Sequence, residues 1–427
     1  MKRFLVMSLV CLLSIGLFAG GASEKDDGTI TLRIASAMVI ENPEGGLEQT
    51  LADKYMELHP NVKIEFISTP AVEVSKRIVT LAASDDLPDM FFVPTDFMPQ
   101  LYSMDIVADL EGLLGDEWLA GYNENLLNDV KMNGKMVMVP WYASPYAVIY
   151  RLDWFQQLGL TIPKTWTQFL DVAKKMTRDT NSDGVVDTWA FSMVGARNNS
   201  GEQRFVLISR SFGTDEIYRN SSGVWESDID SPAFKKALQY FTELSTVHKV
   251  VPPGPVEVDY AKSMELFTSQ KTGMILSGPH SLGFITRTNP ALKGNLGSFV
   301  IPMEINHASI SGVGGYAIAK TSRNQEVAAD YLKFITSKEN AIWFGQNTGR
   351  MPTRTEASSD PYFSSDLFSG FLEAMSYCIP SKTFPAYPIL MDTIGEAYST
   401  ILAGSSSLDA AFNRMVEKST AILKENN

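Results

Sequence analysis

The order of apolar patterns between residues 29 and 93 constrains the fold most strongly. Alternating apolar residues predict strands over 29–36 and 62–68, and a short apolar run predicts a third strand over 89–93. Apolar residues at helical spacing predict helices over 48–59 and 77–83, between those strands. This strand–helix–strand–helix–strand order predicts a parallel sheet with crossover helices, and therefore an α/β fold.

Two loops follow the first and third predicted strands. Ligands of such sheets bind beyond the carboxyl ends of the parallel strands. Loop 37–46 carries Asn42 and Glu44, and loop 94–98 carries Thr95 and Asp96. We expect these four residues near a cleft, where Glu44 and Asp96 are candidate acceptors for hydroxyl groups. The alternative is that these two acids are ordinary solvated loop residues.

The rest of the chain continues to mix strands and helices. Strands are predicted at 136–140, 273–277, 299–302 and 312–319, and helices at 166–177, 232–249, 325–336, 389–403 and 408–424. Thr165 is the predicted N-cap of the helix that starts at Trp166, and residues 347–354 are predicted to form a loop. A chain of 427 residues exceeds what one hydrophobic core usually supports, so two domains are expected.

The first 22 residues have the pattern of an export signal. Lys2 and Arg3 precede an uncharged apolar run over 4–18, and small residues follow it at 19–22. The run is shorter than the roughly 20 residues that span a bilayer. We expect a cleaved Sec-type signal peptide over 1–22, and a periplasmic or extracellular protein. Cys11 lies too early to serve as a lipoprotein cysteine, and the remaining Cys378 has no partner for an internal disulfide.

Net charge limits the partners. The chain has 36 basic and 49 acidic residues, a formal net charge of −13. Such an acidic balance argues against nucleic acid and against anionic membranes. The chain also lacks HExxH, GxSxG and Walker A motifs, and these absences disfavour the corresponding enzyme classes.

Several motifs occur in the order found in one protein family. They are Pro60-Asn61-Val62, Leu87-Pro88-Asp89-Met90, Val139-Pro140-Trp141 with 147–160, Pro163-Lys164-Thr165-Trp166, Gly278-Pro279, Gly314-Gly315, 328–337, and Gly349-Arg350-Met351-Pro352. Together they resemble the extracellular solute-binding proteins of bacterial carbohydrate ABC transporters, the maltodextrin-type or family 1 group. The chain departs from the family pattern at His280, where many members carry Trp, and at Met38 and Val39, where many carry an early Trp.

The resemblance implies a periplasmic-binding-protein-like fold of type II, with two discontinuous α/β lobes joined by hinge strands. The expected N-terminal lobe comprises 23–140 and about 280–335, and the C-terminal lobe comprises 141–279 and about 336–427. Hinge crossings are expected near Pro140, Ser277 and 315–319. The resemblance also implies a monomer that captures a small carbohydrate and docks on the permease subunits of an ABC importer.

Aromatic and glycine-rich segments supply the remaining candidates for ligand contact. Trp141, Tyr142 and Tyr146 follow a predicted strand, and aromatic rings stack on the apolar faces of sugars. The resemblance adds Gly278, His280, Gly314, Gly315 and Arg350, at positions where the family brings backbone N–H groups or side chains to the ligand. Core packing for the aromatics and plain turn chemistry for the glycines are the alternatives.

Residues 179–187 read D-x-N-x-D-G-x-x-D, as in the first nine positions of a calcium loop. Asp179, Asn181, Asp183 and Asp187 would donate side-chain oxygens, and Val185 a backbone carbonyl. The twelfth position is Ala190, so the usual bidentate carboxylate is missing. A structural Ca²⁺ is therefore one interpretation, and a self-stabilised Asx turn is the other. No cofactor is otherwise required.

The leading hypothesis is a non-enzymatic binding protein that captures a sugar or oligosaccharide by closure of two lobes. One alternative is a binding protein for a polyamine, glycerol-phosphate or other polar solute. The other is a secreted carbohydrate-acting enzyme, which would need two carboxylates flanking one pocket.

Overall fold

The computed structural model describes residues 28–40, 44–70, 73–379 and 382–427. The predicted signal peptide and Asn42 lie outside the described residues. The ten strands of the two larger sheets are β1 Ile30–Ser36, β2 Val62–Ser68, β3 Met90–Val93, β4 Val139–Ala143, β5 Ala147–Arg151, β6 Trp189–Ser192, β7 Thr272–Ser277, β8 Leu296–Phe299, β9 Gly314–Ile318 and β10 Met351–Pro352.

Helices cover both sheets. The helices of eight or more residues are α1 Glu44–Leu58, α2 Val74–Ala83, α3 Trp166–Met176, α4 Asn199–Ser211, α5 Pro232–Thr246, α6 Tyr260–Thr268, α7 Ser281–Thr288, α8 Gln325–Ile335, α9 Lys338–Thr348, α10 Tyr387–Leu402 and α11 Leu408–Asn426. Shorter helices are Met98–Met104, Leu110–Leu114, Asp116–Leu119, Glu124–Asp129, Leu152–Gln157, Thr355–Ser358 and Ser369–Ala374.

The first sheet has the strand order β10-β4-β9-β3-β1-β2. Strands β1, β2 and β3 are parallel, with Ile30 opposite Val62 and Ile34 opposite Met90. Strand β9 runs antiparallel to its neighbours β3 and β4. The predicted parallel unit over 29–93 is therefore confirmed. Strand β9, from a distant part of the chain, pairs antiparallel with β3 and extends the sheet on that side.

The second sheet has the order β8-β5-β7-β6. Strand β5 is antiparallel to β7 and β8, whereas β6 and β7 are parallel. A separate hydrophobic core lies on this sheet, and helices α4, α5 and α10 contribute Phe205, Phe241 and Ile394 to it. The chain thus builds two α/β bodies from interleaved segments, as the fold class requires.

The chain passes between the two sheets at 144–146 and again between Phe299 and Gly314. Strand β7, which ends at Ser277, is followed by β8 in the same sheet, and β10 lies in the first sheet. If each sheet marks one lobe, residues 296–299 join the second lobe and 351–352 the first. The lobe boundaries expected from the sequence stay a prediction.

Several predicted elements are confirmed with small shifts at their ends. Helix α3 begins at Trp166, and the Thr165 side chain accepts a hydrogen bond from the Gln168 backbone N–H, as an N-cap does. Two predicted strands are shifted along the chain by about three residues. The strand expected at 136–140 runs over Val139–Ala143, and the one expected at 299–302 runs over Leu296–Phe299. The loop expected at 347–354 contains the end of α9 and strand β10.

A buried carboxyl group lies beneath the first sheet. Glu48 on α1 is 2% exposed, and it accepts hydrogen bonds from Ser36 Oγ at 2.6 Å and from the Tyr316 hydroxyl. Burial raises the pKa of Glu48 to about 7, against the opposing effect of these two hydrogen bonds. The folded protein therefore binds a proton at Glu48 more tightly than the unfolded chain does.

This proton makes stability depend on pH. Because the folded pKa lies above the ordinary value, its contribution is fully present at low pH and is lost as the pH rises through about 7. We expect Glu48→Gln to remove about 2–3 kcal/mol of the decline in unfolding free energy between about pH 5 and about pH 8. Urea unfolding of both proteins across this range measures the difference. Parallel pH profiles would contradict the expectation.

Candidate functional site

A cavity of about 520 Å³ lies where segments from both bodies face each other. Thr95, directly after β3, and Gly312, just before β9, line it from the first body. Helix α4 and the start of α10 line it from the second. We call it the central cavity. A cavity of about 600 Å³ that reaches Asp129 shares Thr95, Lys382, Tyr387 and Pro388 with it, so the two adjoin.

Helix α4 presents two different faces. Asn198 caps it by accepting a hydrogen bond from the Gly201 N–H. Phe205 and Ile208 enter the second core. The other face places polar side chains, Asn199, Glu202, Gln203 and Arg210, along the central cavity. The helix is thus anchored by its apolar face and offers donors and acceptors on the other, as a small-molecule site requires.

The cations of the central cavity already have anionic partners. Arg210 Nε donates to Glu216 Oε2 at 2.9 Å, and the Tyr387 hydroxyl donates to Glu216 Oε1 at 2.8 Å. Lys382 Nζ lies 2.5 Å from Asp215 Oδ2. Burial alone would raise the pKa of Glu216, but the ion pair with Arg210 outweighs it and holds the pKa below its ordinary value. Glu216 therefore stays ionised and neutralises the guanidinium.

The carboxyl group of Glu202 has a different environment. It is 6% exposed. Burial and repulsion by Asp392 raise the pKa of Glu202 to about 7, and the attraction of Arg197 opposes them. Glu202 is the one acid that lines the central cavity in the described ranges, and its pKa lies near neutral pH.

Four of the predicted residues form a second group, which we call the arginine cluster: Glu44, Tyr142, His280 and Arg350. Arg350 Nη2 lies 3.2 Å from Glu44 Oε1, and its guanidinium carbon lies 4.2 Å from the centre of the Tyr142 ring. Burial, followed by repulsion from Arg350 and Arg204, lowers the pKa of His280 to about 4. His280 is therefore neutral at physiological pH and can both donate and accept a hydrogen bond.

Ser144 joins the arginine cluster to the central cavity. Its N–H donates to the Ser311 carbonyl at 2.9 Å, and Ser311 lines the cavity. A Cβ added to Gly278 would lie 2.7 Å from His280 Nδ1 and 3.2 Å from the Ser144 carbonyl oxygen. Ser144 Oγ and Arg350 Nε are buried without a hydrogen-bond partner among the residues that the structure describes. A ligand or an ordered water would satisfy them.

The other predicted residues lie in varied places. Tyr146 lies beside the arginine cluster, with its ring centre 6.5 Å from that of His280. Trp141 is in the first core, stacked on Phe344 at 4.3 Å. Gly314 and Gly315 are in β9, where an added Cβ would meet the Tyr142 ring at 2.3 Å and the Val139 carbonyl oxygen at 2.0 Å, respectively. Asp96 lies in the turn Thr95–Phe97, and its side chain is not described. Their contact with a ligand stays a prediction.

Sequence reasoning missed most of the cavity wall. Gln203, Arg210, Lys382 and Tyr387 were not candidates, although they line the central cavity. One signal was present in the sequence. Glu202, Arg204 and Arg210 flank an apolar run over 205–208, so charged residues had to enter the interior together with it. Lys382 and Tyr387 offered no such signal.

The acidic loop over 179–187 is exposed and satisfied by its own backbone. Asp179 Oδ1 accepts from the Ser182 N–H at 2.7 Å, and Oδ2 accepts from the Gly184 N–H at 2.7 Å. The hydrogen bond from Gly184 leads the causes that lower the pKa of Asp179. Asp187 accepts from Thr180 Oγ1 at 2.7 Å. Over the described residues, no group of three or more His, Cys, Asp or Glu side chains is placed to hold a metal ion.

The sequence and the structure both match known solute-binding proteins. The family model for bacterial extracellular solute-binding proteins matches residues 41–342. The mannitol-binding protein of Pseudomonas aeruginosa is 23% identical over 96% of this chain and 95% of its own. The galactooligosaccharide-binding protein of Bacillus subtilis is 21% identical over 99% and 98%. The maltose-bound MalE3 structure of T. maritima superposes with a TM-score of 0.72, at 23% identity, covering 92% of this chain and 99% of that one.

The chain therefore belongs to the bacterial extracellular solute-binding protein family. The structural likeness confirms the expected two-lobed, type II periplasmic-binding-protein-like fold. The family consists of solute-binding proteins rather than enzymes, and its members act in the periplasm or outside the cell. No helix in the described part of the chain is long and apolar enough to cross a bilayer.

Proposed function

We propose that this protein captures a sugar or oligosaccharide in the central cavity and delivers it to the membrane subunits of an ABC importer. The observation that carries the proposal is a cavity lined from two α/β bodies by polar side chains and the Tyr387 ring. Relatives that match nearly the whole chain are named for mannitol and galactooligosaccharide binding.

The lining suits a hydroxylated guest. Asn199, Gln203 and Thr95 offer neutral donors and acceptors, which bind a hydroxyl without the desolvation cost of a free charge. Val206, Met391 and Pro388 supply apolar surface for the C–H faces of a sugar ring. The adjoining cavity of about 600 Å³ provides room for further sugar units.

Closure follows from where the lining residues sit. A ligand that contacts Thr95 and α4 at the same time bridges the two bodies. It binds the closed arrangement better than the open one, and it shifts the population by that difference in affinity. The crossings at 144–146 and 300–313 are the segments about which the bodies would move.

A panel of mono-, di- and oligosaccharides tests the proposal. A ligand should raise the melting temperature, and small-angle scattering should show a smaller radius of gyration. In Gln203→Ala the affinity should fall about 10-fold, because a buried hydrogen bond to the ligand is lost. Gln239→Ala is the matched control, since Gln239 lies on the exposed face of α5. A full panel that changes neither melting nor compaction would reject a sugar ligand.

We further propose that the protein releases its solute unaltered. Its family consists of solute-binding proteins, so we expect this chain to bind its solute without reacting with it. Incubation with each bound oligosaccharide, followed by product analysis, tests this. A hydrolysis product that grows with time would instead support a secreted carbohydrate-acting enzyme. We also propose that the protein is monomeric and is exported by the predicted signal peptide over 1–22.

We also propose a structural Ca²⁺ in the acidic loop. Asp179, Asn181, Asp183, Asp187 and the Val185 carbonyl would hold it, with water replacing the missing carboxylate. The ion would cross-link a segment whose Val185 is 65% exposed. We expect millimolar Ca²⁺ to raise the melting temperature and EDTA to reverse the shift. An Asp183→Asn variant should lose the response. If Ca²⁺ and EDTA both have no effect, the loop is an Asx turn alone.

A further inference from the structure

Glu202 is a buried acid in the central cavity without a partner of its own. Glu202 is 6% exposed, and it lines the central cavity. In the described part of the chain, no hydrogen bond or ion pair reaches its carboxyl group. An acid this deeply buried normally has a donor, because desolvation without one is costly. The missing donor is therefore one that a ligand can supply.

The neighbouring donors are engaged elsewhere. Arg197 donates to both carboxylate oxygens of Asp392, at 2.8 and 2.7 Å, and its Nη2 lies 3.3 Å from Glu396. The Tyr398 hydroxyl donates to the Ala196 carbonyl at 2.8 Å. These groups surround Glu202 without pairing with it, so the protein does not neutralise this carboxyl group.

The position of the carboxyl group is built into α10. A Cβ added to Gly395 would lie 2.7 Å from Glu202 Oε1, so a glycine at 395 leaves the space that this oxygen occupies. Pro388 and Met391, on the same helix, also line the central cavity. The carboxyl group of Glu202 therefore lies between α4 and α10, in the space left by Gly395.

The charged side chains of the central cavity differ in whether the protein already pairs them. Arg210 is paired with Glu216, and Lys382 with Asp215. Neither cation has a free charge for an anionic solute. Glu202 is the remaining charged side chain that lines this cavity in the described ranges. A solute with a positive group gains an ion pair here, whereas an anionic solute meets an unpaired carboxylate.

We propose that Glu202 selects for a positively charged substituent, and that the natural ligand is a sugar or oligosaccharide with a free amino group. The proposal rests on the sugar-binding function proposed above. A polyamine fits the cavity less well, because it needs several free acids, while Asn199, Gln203 and Thr95 are neutral hydrogen-bonding groups suited to hydroxyls. The ammonium of the ligand would donate a charge-assisted hydrogen bond to the Glu202 carboxylate.

Three disaccharides test the proposal by calorimetry on the full mature protein. Cellobiose carries hydroxyls at C2, the β-1,4 dimer of glucosamine carries ammonium groups there, and N,N′-diacetylchitobiose carries neutral amides. At about pH 7.5 the glucosamine dimer should bind at least about 10-fold more tightly than cellobiose. In Glu202→Gln the ratio should fall below about 3-fold. Glu417→Gln, the same charge change on the exposed face of α11, should keep the full ratio.

A second measurement does not require a variant. The wild-type preference for the glucosamine dimer should shrink as the pH falls toward about 5.5. Glu202 is then protonated, so the ion pair is lost even though the amino groups of the ligand are then fully charged. Arg197, Asp392 and Glu396 keep their charges over this range. The hydrogen bond between Arg197 and Asp392 raises the pKa of Arg197 and lowers that of Asp392, and the hydrogen bond from Lys418 lowers the pKa of Glu396.

Each other outcome overturns the proposal. A preference for cellobiose or the diacetyl compound, an unchanged ratio in Glu202→Gln, or a preference that does not depend on pH would each do so. If none of the three disaccharides binds, the amino-sugar assignment is wrong. The broader panel then decides separately whether the protein binds sugars at all.

Discussion

Replacing Glu216 with alanine is expected to lower the free energy of unfolding by about 3–5 kcal/mol, because the buried guanidinium of Arg210 then loses its counter-ion. Glu216 is 0% exposed and Arg210 is 5% exposed, so we expect water to replace the lost pairing poorly. The Tyr387 hydroxyl loses its acceptor at the same time. Urea unfolding followed by circular dichroism measures the change.

Two controls separate pairing from simple loss of a side chain. Glu65→Ala removes an exposed acid that pairs with Lys63 at 2.6 Å, and it should cost less than about 1 kcal/mol. The double variant Arg210→Met with Glu216→Leu should recover most of the lost stability, since it buries no unpaired charge. A loss in Glu216→Ala no larger than that in Glu65→Ala would show that Arg210 becomes hydrated.

Trp141→Ala is the second change with a large expected effect. The side chain is 2% exposed, and its ring centre lies 4.3 Å from that of Phe344 and 5.8 Å from that of Tyr316. Removing it should lower the free energy of unfolding by about 3–5 kcal/mol, through lost burial and the cavity left behind. Because the indole is in the core, ligand affinity should change less than about 3-fold when measured on the folded protein.

Trp343→Ala provides the comparison, because Trp343 is a half-buried tryptophan on α9 under the Lys54 ammonium. It should cost clearly less stability than Trp141→Ala. Thermal unfolding gives the first quantity and calorimetric titration the second. A 10-fold fall in affinity with unchanged stability would mean that Trp141 contacts the solute, as the sequence pattern allowed.

The two predictions together separate the residues that support the central cavity from those that would contact the ligand. Glu216 acts by neutralising a cation that lines the central cavity, and Trp141 acts by supporting strand β4, from which the chain enters the crossing at 144–146. Neither group needs to touch the ligand. The recognition surface is then left to Glu202, Gln203 and Asn199 on α4, with Thr95 opposite them.

Local patterns were enough to predict the elements whose residues interact with close neighbours in the chain. The β1–α1–β2 unit, helix α3 with its Thr165 cap, and helix α11 all have their periodicity and capping within a few residues. The two-residue strand β10 was missed, because only its pairing with β4, more than 200 residues away, makes it a strand. The motif order identified the family for the same local reason: each motif is a short run that can be read in isolation.

The sequence by itself determined the α/β class and the family. It also predicted export and named, one by one, the four residues that the structure brings together in the arginine cluster. Only the tertiary structure decided that Trp141 packs inside, that Arg210 and Lys382 are already neutralised, and that Glu202 is not. The physical reason is that periodicity and capping depend on residues a few positions apart. Burial and charge pairing depend on which distant segments meet, and those meetings are set by the packing of the whole chain.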